Sequence, residues 1–325
     1  MSDLPAVLLS GTAMVDSKQL KRKFLGCLIG AALGDAVGAF WEGRRMAAEE
    51  EIKQIAGTQD TLRYTDDTHM TIGVAESLIE NRGFNGAHMA ERFADNYFSE
   101  PWRGYGPGPP RVLQLLRNGE ECDKAASHIY TGGSFGNGAA MRVAPVGLLF
   151  WNNPAKLREV AYQSSLITHS HVLGMEGAAQ QARAVALAVA GSPDEKLDVQ
   201  SFVSRLLDFT AEDIYRAKPP KFNTLLEHPD DRQAIVRDLG HGIEAFNSVP
   251  TAIFSFLAHP GDFASTVVYA ISLGGDTDTI ASMAGAISGA YLGIEAIPQE
   301  WQERLENRDY VLNLADRLWH IAIGQ

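Results

Sequence analysis

The sequence is poor in cysteine. Cys27 and Cys122 are the only two, too few for a disulfide scaffold or a cysteine-rich zinc site. A reducing compartment, and so a cytoplasmic protein, is the simpler expectation. Positive charge is also scarce: the formal net charge is -12. A chain without a broad cationic surface points away from DNA, RNA and anionic membranes as main partners. A small anionic ligand stays possible, because backbone amides and metal ions can hold it. No basic segment precedes the short apolar run at 5–9, which argues against a secretory signal. Asp3 and Asp16, with no arginine near them, argue against a mitochondrial presequence. No stretch reaches roughly 20 uninterrupted apolar residues; the best candidate, 24–41, carries Asp35 near its middle. Convincing period-two strands, a repeat period, a long linker and a composition break are all absent.

What is present is a helical pattern over most of 325 residues, 45% of them apolar. In 24–40, Gly26, Gly30, Gly34 and Gly38 recur every four residues and form one smooth ridge on a helix. Gly285, Gly289 and Gly293 repeat the spacing near the other end. Such ridges permit close helix approach, so the pair predicts two central helices packed tightly together. Amphipathic helices are expected at 67–80, 87–98, 155–167, 175–190, 199–209, 232–246 and 308–323. The fold class is all-α, a compact multi-helix orthogonal bundle. Residues 1–19 read as a loose tail and 20–325 as a single domain.

Two acidic clusters carry the chemistry: Thr65-Asp66-Asp67-Thr68 and Gly274-Gly275-Asp276-Thr277-Asp278-Thr279, each just before or at the start of a helical pattern. Helix capping alone accounts for one side chain in each, yet each offers two carboxylates and two hydroxyls. If the clusters met in space, their carboxylates would repel, and a divalent cation would remove that penalty. Hard oxygen ligands favour Mg²⁺, Mn²⁺ or Ca²⁺ over zinc. Asp276 and Asp278 lie two apart, so they converge only from an irregular turn. A third element is Gly132-Gly133-Ser134-Phe135-Gly136-Asn137-Gly138, whose glycines allow a nest of amides for phosphate, with Phe135 placed to stack on a base, before a helix expected at Ala139. Taken by themselves, Glu42 after the first glycine ridge reads as a loop residue, His169 as a structural hydrogen-bonder and Arg103-Gly104-Tyr105-Gly106 as a turn.

In order, GCLIGAALGDAVGAFWEG, YTDDTHM, RGYGPG, GGSFGNGAAMRVAP, THSHVLG, SVPTAIFSFL and SLGGDTDTIASMAGAISGAYLG resemble the ADP-ribosylglycohydrolase family over nearly the whole chain from Phe24. RGYG, GSFGNGAAMRVA and SVPTAI are most similar to the branch typified by ADP-ribosylhydrolase 3. The resemblance implies an all-α catalytic domain around a binuclear Mg²⁺ centre, Mn²⁺ being a possible substitute, with ligands at Thr65, Asp66, Asp67, Asp276, Asp278 and Thr279. It puts the catalytic glutamate, on a mobile flap, at Glu42. It puts substrate contacts at Gly104, Ser134, Phe135, Gly136, Asn137 and His169. The branch's second adenine-side aromatic is Ile129 here, with Tyr130 beside it. The partners implied are ADP-ribose and ADP-ribosylated proteins or poly(ADP-ribose), bound by a monomer.

The expected reaction cleaves the glycosidic bond at C1 of the distal ribose in serine-linked ADP-ribose, poly(ADP-ribose) or O-acetyl-ADP-ribose. Three rival readings exist: a sister enzyme of the dinitrogenase-reductase-activating type that acts on ADP-ribosyl-arginine, a non-catalytic ADP-ribose-binding module, and an all-α diphosphate lyase. The carboxylate set with Glu42 speaks against the second. The lack of Arg or Lys near the proposed diphosphate site speaks against the third.

Overall fold

The computed structural model describes residues 16–324. Positions 1–15 of the expected tail lie outside the described residues. The boundary at residue 19 moves: Asp16 accepts the Lys18 N–H at 3.4 Å and caps a helix that runs Ser17–Gly38. The protein is 70% helical with no strand among the described residues. Its only ladder-like pairings there are the isolated bridges Leu62 with Leu305 and Gly136 with Glu244.

The glycine ridges explain the centre of the molecule. The Ser17–Gly38 and Thr277–Leu292 helices run antiparallel, Gly26 against Gly289, Gly30 against Gly285 and Gly34 against Ala281. At each of these glycines an added Cβ would run into a main-chain carbonyl of the partner helix. A methyl group has nowhere to go, which is why the ridge is made of glycine. The last ridge position, Gly38, lies where an added Cβ would come 2.6 Å from the Cα of Asp278. The packing therefore delivers the acidic start of one helix to the far end of the other. Ser17–Trp41 is long and apolar enough to cross a membrane, but 83% of its apolar window is buried inside the protein. Asp35 on it is fully buried rather than solvated.

Most amphipathic segments fold within a few residues of the expected limits: Asp66–Asn81, Gly86–Ser99, Pro154–Leu166, Val172–Ala190, Val199–Phe209 and Arg308–Ala322. The helix expected at 232–246 is two elements. Arg232–Leu239 stops at Gly240, whose φ of +85° turns the chain, and Ala245–Ala258 starts afresh. That second helix carries Pro250 in its interior, where the missing N–H breaks one ladder bond and obscures the helical signal in the sequence. Phe263–Ser272, also unread from the sequence, packs against Thr277–Leu292. Instead of a helix at Ala139 there is a single tight turn, Asn137–Ala139, and the helix begins at Ala144.

Candidate metal and substrate site

The first acidic cluster sits at a helix start. Thr65 is the N-cap of Asp66–Asn81, and its hydroxyl accepts the Asp67 N–H at 3.4 Å. The carboxylates of Asp66 and Asp67 are therefore surplus to capping. A residue the sequence reading passed over holds this terminus in place. Buried Asp35 accepts from the Thr65 N–H (3.0 Å), the Thr65 hydroxyl (2.7 Å), the Thr68 N–H (2.9 Å) and the Thr68 hydroxyl (2.6 Å). Its only sequence signal is a charge inside an apolar glycine-ridged helix. A carboxylate there needs partners to compensate its desolvation.

In the second cluster, Gly274 and Gly275 have φ of +71° and +77°, which side-chain-bearing residues rarely adopt. The Asp276 N–H is held by the His241 carbonyl at 3.0 Å. Asp276 is the N-cap residue of its helix by position but makes no side-chain cap. Its carboxylate instead accepts the Asn137 amide at 2.5 Å. This irregular turn lets Asp276 and Asp278 converge despite their spacing: carboxylate oxygens of Glu42, Asp276 and Asp278 lie within 4.8 Å of one another. The Thr279 hydroxyl reaches Asp67 at 3.4 Å and joins the two clusters. The flap carrying Glu42 is tied to the same turn by the Gly43 N–H to the Gly275 carbonyl at 3.1 Å.

Electrostatics match the crowding. Burial first, then Asp35, raises the Asp66 carboxyl to about 7. Burial and then Asp35 and Asp278 push Asp67 well above its usual range. Burial and then Asp276 do the same to Asp278. Glu42, exposed on its flap, is raised by partial desolvation and then by Asp276 and Asp35. The buried Asp67 Oδ1 has no hydrogen-bond partner among the described residues. An orphaned carboxylate oxygen inside a set of mutually repelling acids suits a divalent cation. The residues present fit such an ion.

Of the positions expected to contact substrate, Gly104 and Asn137 reach the acids directly. A Cβ added to Gly104, at φ +90°, would lie 3.7 Å from Asp66 Oδ1, so its lack of a side chain keeps the approach to that carboxylate open. The turn carrying Gly104 is held by its neighbour Arg103. The Arg103 guanidinium bonds Glu100, Glu306 and the Tyr64 carbonyl and lies over the Tyr64 ring, and its own carbonyl accepts the Asp66 N–H at 2.8 Å.

The glycine-rich loop is a smaller nest than its composition predicts. The Gly133, Gly136 and Asn137 N–H groups are taken by the Tyr130 carbonyl, the Ser134 hydroxyl and the Ile243 carbonyl. The N–H groups of Ser134 and Phe135 are left unpartnered within the described residues. Asn137 is buried and its amide nitrogen is committed to Ser248 and Asp276. It braces the acids from the loop side. Phe135 is half exposed, 5.6 Å from the His171 ring and 6.0 Å from Phe246 at a tilt of 39°. Phe246, missed because it fell at the end of a misread helix, gives the platform its second aromatic. Tyr130 turns toward Gly108 instead. His169 lies beneath the loop against Gly136 and Gly138.

An all-helical bundle with convergent buried carboxylates sets the fold and site, and the family match makes the protein a hydrolase of glycosidic bonds. The chain belongs to the ADP-ribosylglycohydrolase family, whose model matches residues 16–325. It is 37% identical to the mouse ADP-ribosylhydrolase ARH3, over 92% of this chain and 91% of that one. It is 38% identical to the Xenopus tropicalis ADP-ribosylhydrolase ARH3, over 86% and 90%. These similarities place it on the ARH3 branch. A solved structure titled ADP-ribosylglycohydrolase-related protein complex superposes with a TM-score of 0.72 at 25% identity, covering 94% of this chain and 99% of that one.

Proposed function

We propose that the protein releases ADP-ribose by hydrolysing the bond between C1 of the distal ribose and its acceptor. The acceptors are modified serine, poly(ADP-ribose) and O-acetyl-ADP-ribose, and the reaction depends on magnesium. The observation that carries the reading is the convergence of Glu42, Asp276 and Asp278, with Asp67, whose buried Oδ1 is unpaired among the described residues, joined to them through Thr279, and with Asp66 close enough to feel Glu42 and Asp276. Two magnesium ions are assigned to Thr65, Asp66, Asp67, Asp276, Asp278 and Thr279, with manganese as substitute. Bound there, they would supply charge neutralisation, Lewis acidity and orientation of the ribose diol.

The chain's own groups do the rest. The Ser134 and Phe135 amides bind the diphosphate, and the Phe135 and Phe246 rings give the adenine an apolar face. Gly104 leaves room for the ribose beside Asp66. Glu42 is the acid/base. Partial burial, then Asp276 and Asp35, favour its protonated form, and in the proposed cycle it gives its proton to the leaving acceptor oxygen and then takes one from the attacking water.

Glu42→Gln is expected to lower turnover by about 10²–10⁴-fold while ADP-ribose binding persists. Full activity in that variant removes Glu42 from the mechanism. The substrate question is settled by incubating the protein with poly(ADP-ribose), serine-modified and arginine-modified peptides, with and without EDTA, and following free ADP-ribose. Release from the first two, lost with EDTA, is the expected pattern. Release from the arginine peptide alone assigns the sister activity, and binding without release assigns a reader.

A further inference from the structure

Arg142 is a buried cation with no carboxylate in contact, though Asp66 lies near enough to favour its charge. It is 2% exposed, forms no ion pair among the described residues, and lies over the Phe93 ring at 4.4 Å. Its guanidinium donates to the Ser164 carbonyl at 3.3 Å and to the Thr168 hydroxyl oxygen at 2.7 Å. That hydroxyl in turn lies 2.8 Å from His169 Nδ1. Thr168 is itself 2% exposed, and its oxygen has no other partner among the described residues.

The direction of this chain follows from counting donors. Arginine has no acceptor, so the Thr168 oxygen must accept from Arg142. The hydroxyl proton then has one place to go, His169 Nδ1, which must be the unprotonated nitrogen. The opposite arrangement, with Nδ1–H donating, would leave a buried hydroxyl proton unsatisfied. The ring's proton is therefore on Nε2. That nitrogen makes no hydrogen bond among the described residues. A Cβ added to Gly138 would lie 2.7 Å from Cε1, so the glycine there lets the ring stand this close to the loop, and one added to Gly136 would sit in contact with Nε2 at 3.4 Å.

We infer that Arg142 and Thr168 are positioning residues that lock His169 as the neutral Nε2–H tautomer, an obligate donor to an oxygen of the bound ADP-ribose. The lock matters because a histidine free to change tautomer would present an acceptor for part of the time to a ligand rich in acceptor oxygens. Burial, with Arg142 behind it, also drives the His169 pKa down to about 3, so the ring does not become a cation that binds anions indiscriminately. Burial lowers Arg142 itself only to about 9, which leaves it charged at neutral pH.

The inference rests on the functional reading for the identity of the ligand, not for the state of the ring. Nitrogen-15 NMR of the histidine-labelled protein reads the tautomer directly, the His169 signals being identified by their loss in His169→Gln. Protonated Nε2 with unprotonated Nδ1 is expected. A proton on Nδ1, or on both nitrogens, overturns the proposal without any variant. Thr168→Val should let the second tautomer appear and weaken ADP-ribose binding about tenfold, the size of one lost oriented hydrogen bond. Thr168→Ser should restore both. Unchanged spectrum and affinity in the valine variant, or a serine variant as weak as valine, also overturns it. Wild-type protein that fails to bind ADP-ribose sinks the functional reading instead and leaves the tautomer result standing.

Discussion

At the scale of single residues, the site is an arrangement of acids that oppose one another. Asp35 differs in being held by donors from Thr65 and Thr68, although its charge, second to burial, also raises Asp66 and Asp67. Asp35→Asn keeps the shape but leaves one carbonyl oxygen facing those donors. It should cost about 2–3 kcal/mol, read from the urea midpoint, and should weaken magnesium binding because the first cluster loses its anchor. Wild-type stability in that variant would exclude the anchoring role. Asp278→Asn should do the reverse to the metal-free protein, raising its thermal midpoint by removing one repelling charge while abolishing the rise that magnesium is expected to give the wild type. A lowered metal-free midpoint would mean the repulsion is not felt.

Protonation gives the same cluster a pH signature. Asp66 is raised in the fold from 3.8 to about 7, by burial first and Asp35 second. The folded protein thus holds a proton that the unfolded chain releases. For the metal-free protein this contribution is complete below the unfolded value and is lost as pH rises through about 7. Denaturant titrations across that window should show stability falling in EDTA and a much flatter profile in magnesium. A metal-free profile that rises with pH contradicts the assignment.

At the scale of elements, the antiparallel glycine ridges set the distance on which the site depends. Gly34→Ala forces a methyl into the Ala281 carbonyl. Overpacking of this kind costs about 1–3 kcal/mol. Because Asp35 lies on one ridge helix and Asp278 on the other, the same change should also lower magnesium affinity. Gly57→Ala, where an added Cβ meets nothing within 4 Å, is the control and should leave magnesium affinity unchanged. If both behave alike in denaturation and metal titration, ridge contact does not set the site. The broken element at 232–258 works differently. The turn after Gly240 releases the chain so that the His241 carbonyl can hold Asp276 and the Ile243 carbonyl can hold Asn137. A continuous helix would have kept both carbonyls in its own ladder.

At the scale of the whole molecule, the helices were legible because their apolar periodicity is strong and their caps are local: Asp16, Asn85, Asn153 and Asp198 all cap where a polar residue precedes an apolar pattern. The acidic clusters were legible as surplus over capping. Phe246, the Arg142–Thr168–His169 chain and the role of Asp35 were not, because each depends on partners distant in sequence: 111 residues separate Phe135 from Phe246, which meet only in the fold. The narrowing of the glycine nest was equally hidden, since the Ile243 carbonyl that occupies one of its amides lies on another loop.

Local rules thus determined the helical class, the glycine ridges and the kinds of ligand atoms on offer, since backbone propensity, capping and side-chain chemistry act within a few residues. Which carboxylates converge, which anchors a helix start, and which loop amides stay free was decided only by tertiary packing. Desolvation and charge repulsion depend on what surrounds a group in space, and the chain order of Asp35, Asp67 and Asp278 carries no record of that until the ridges close.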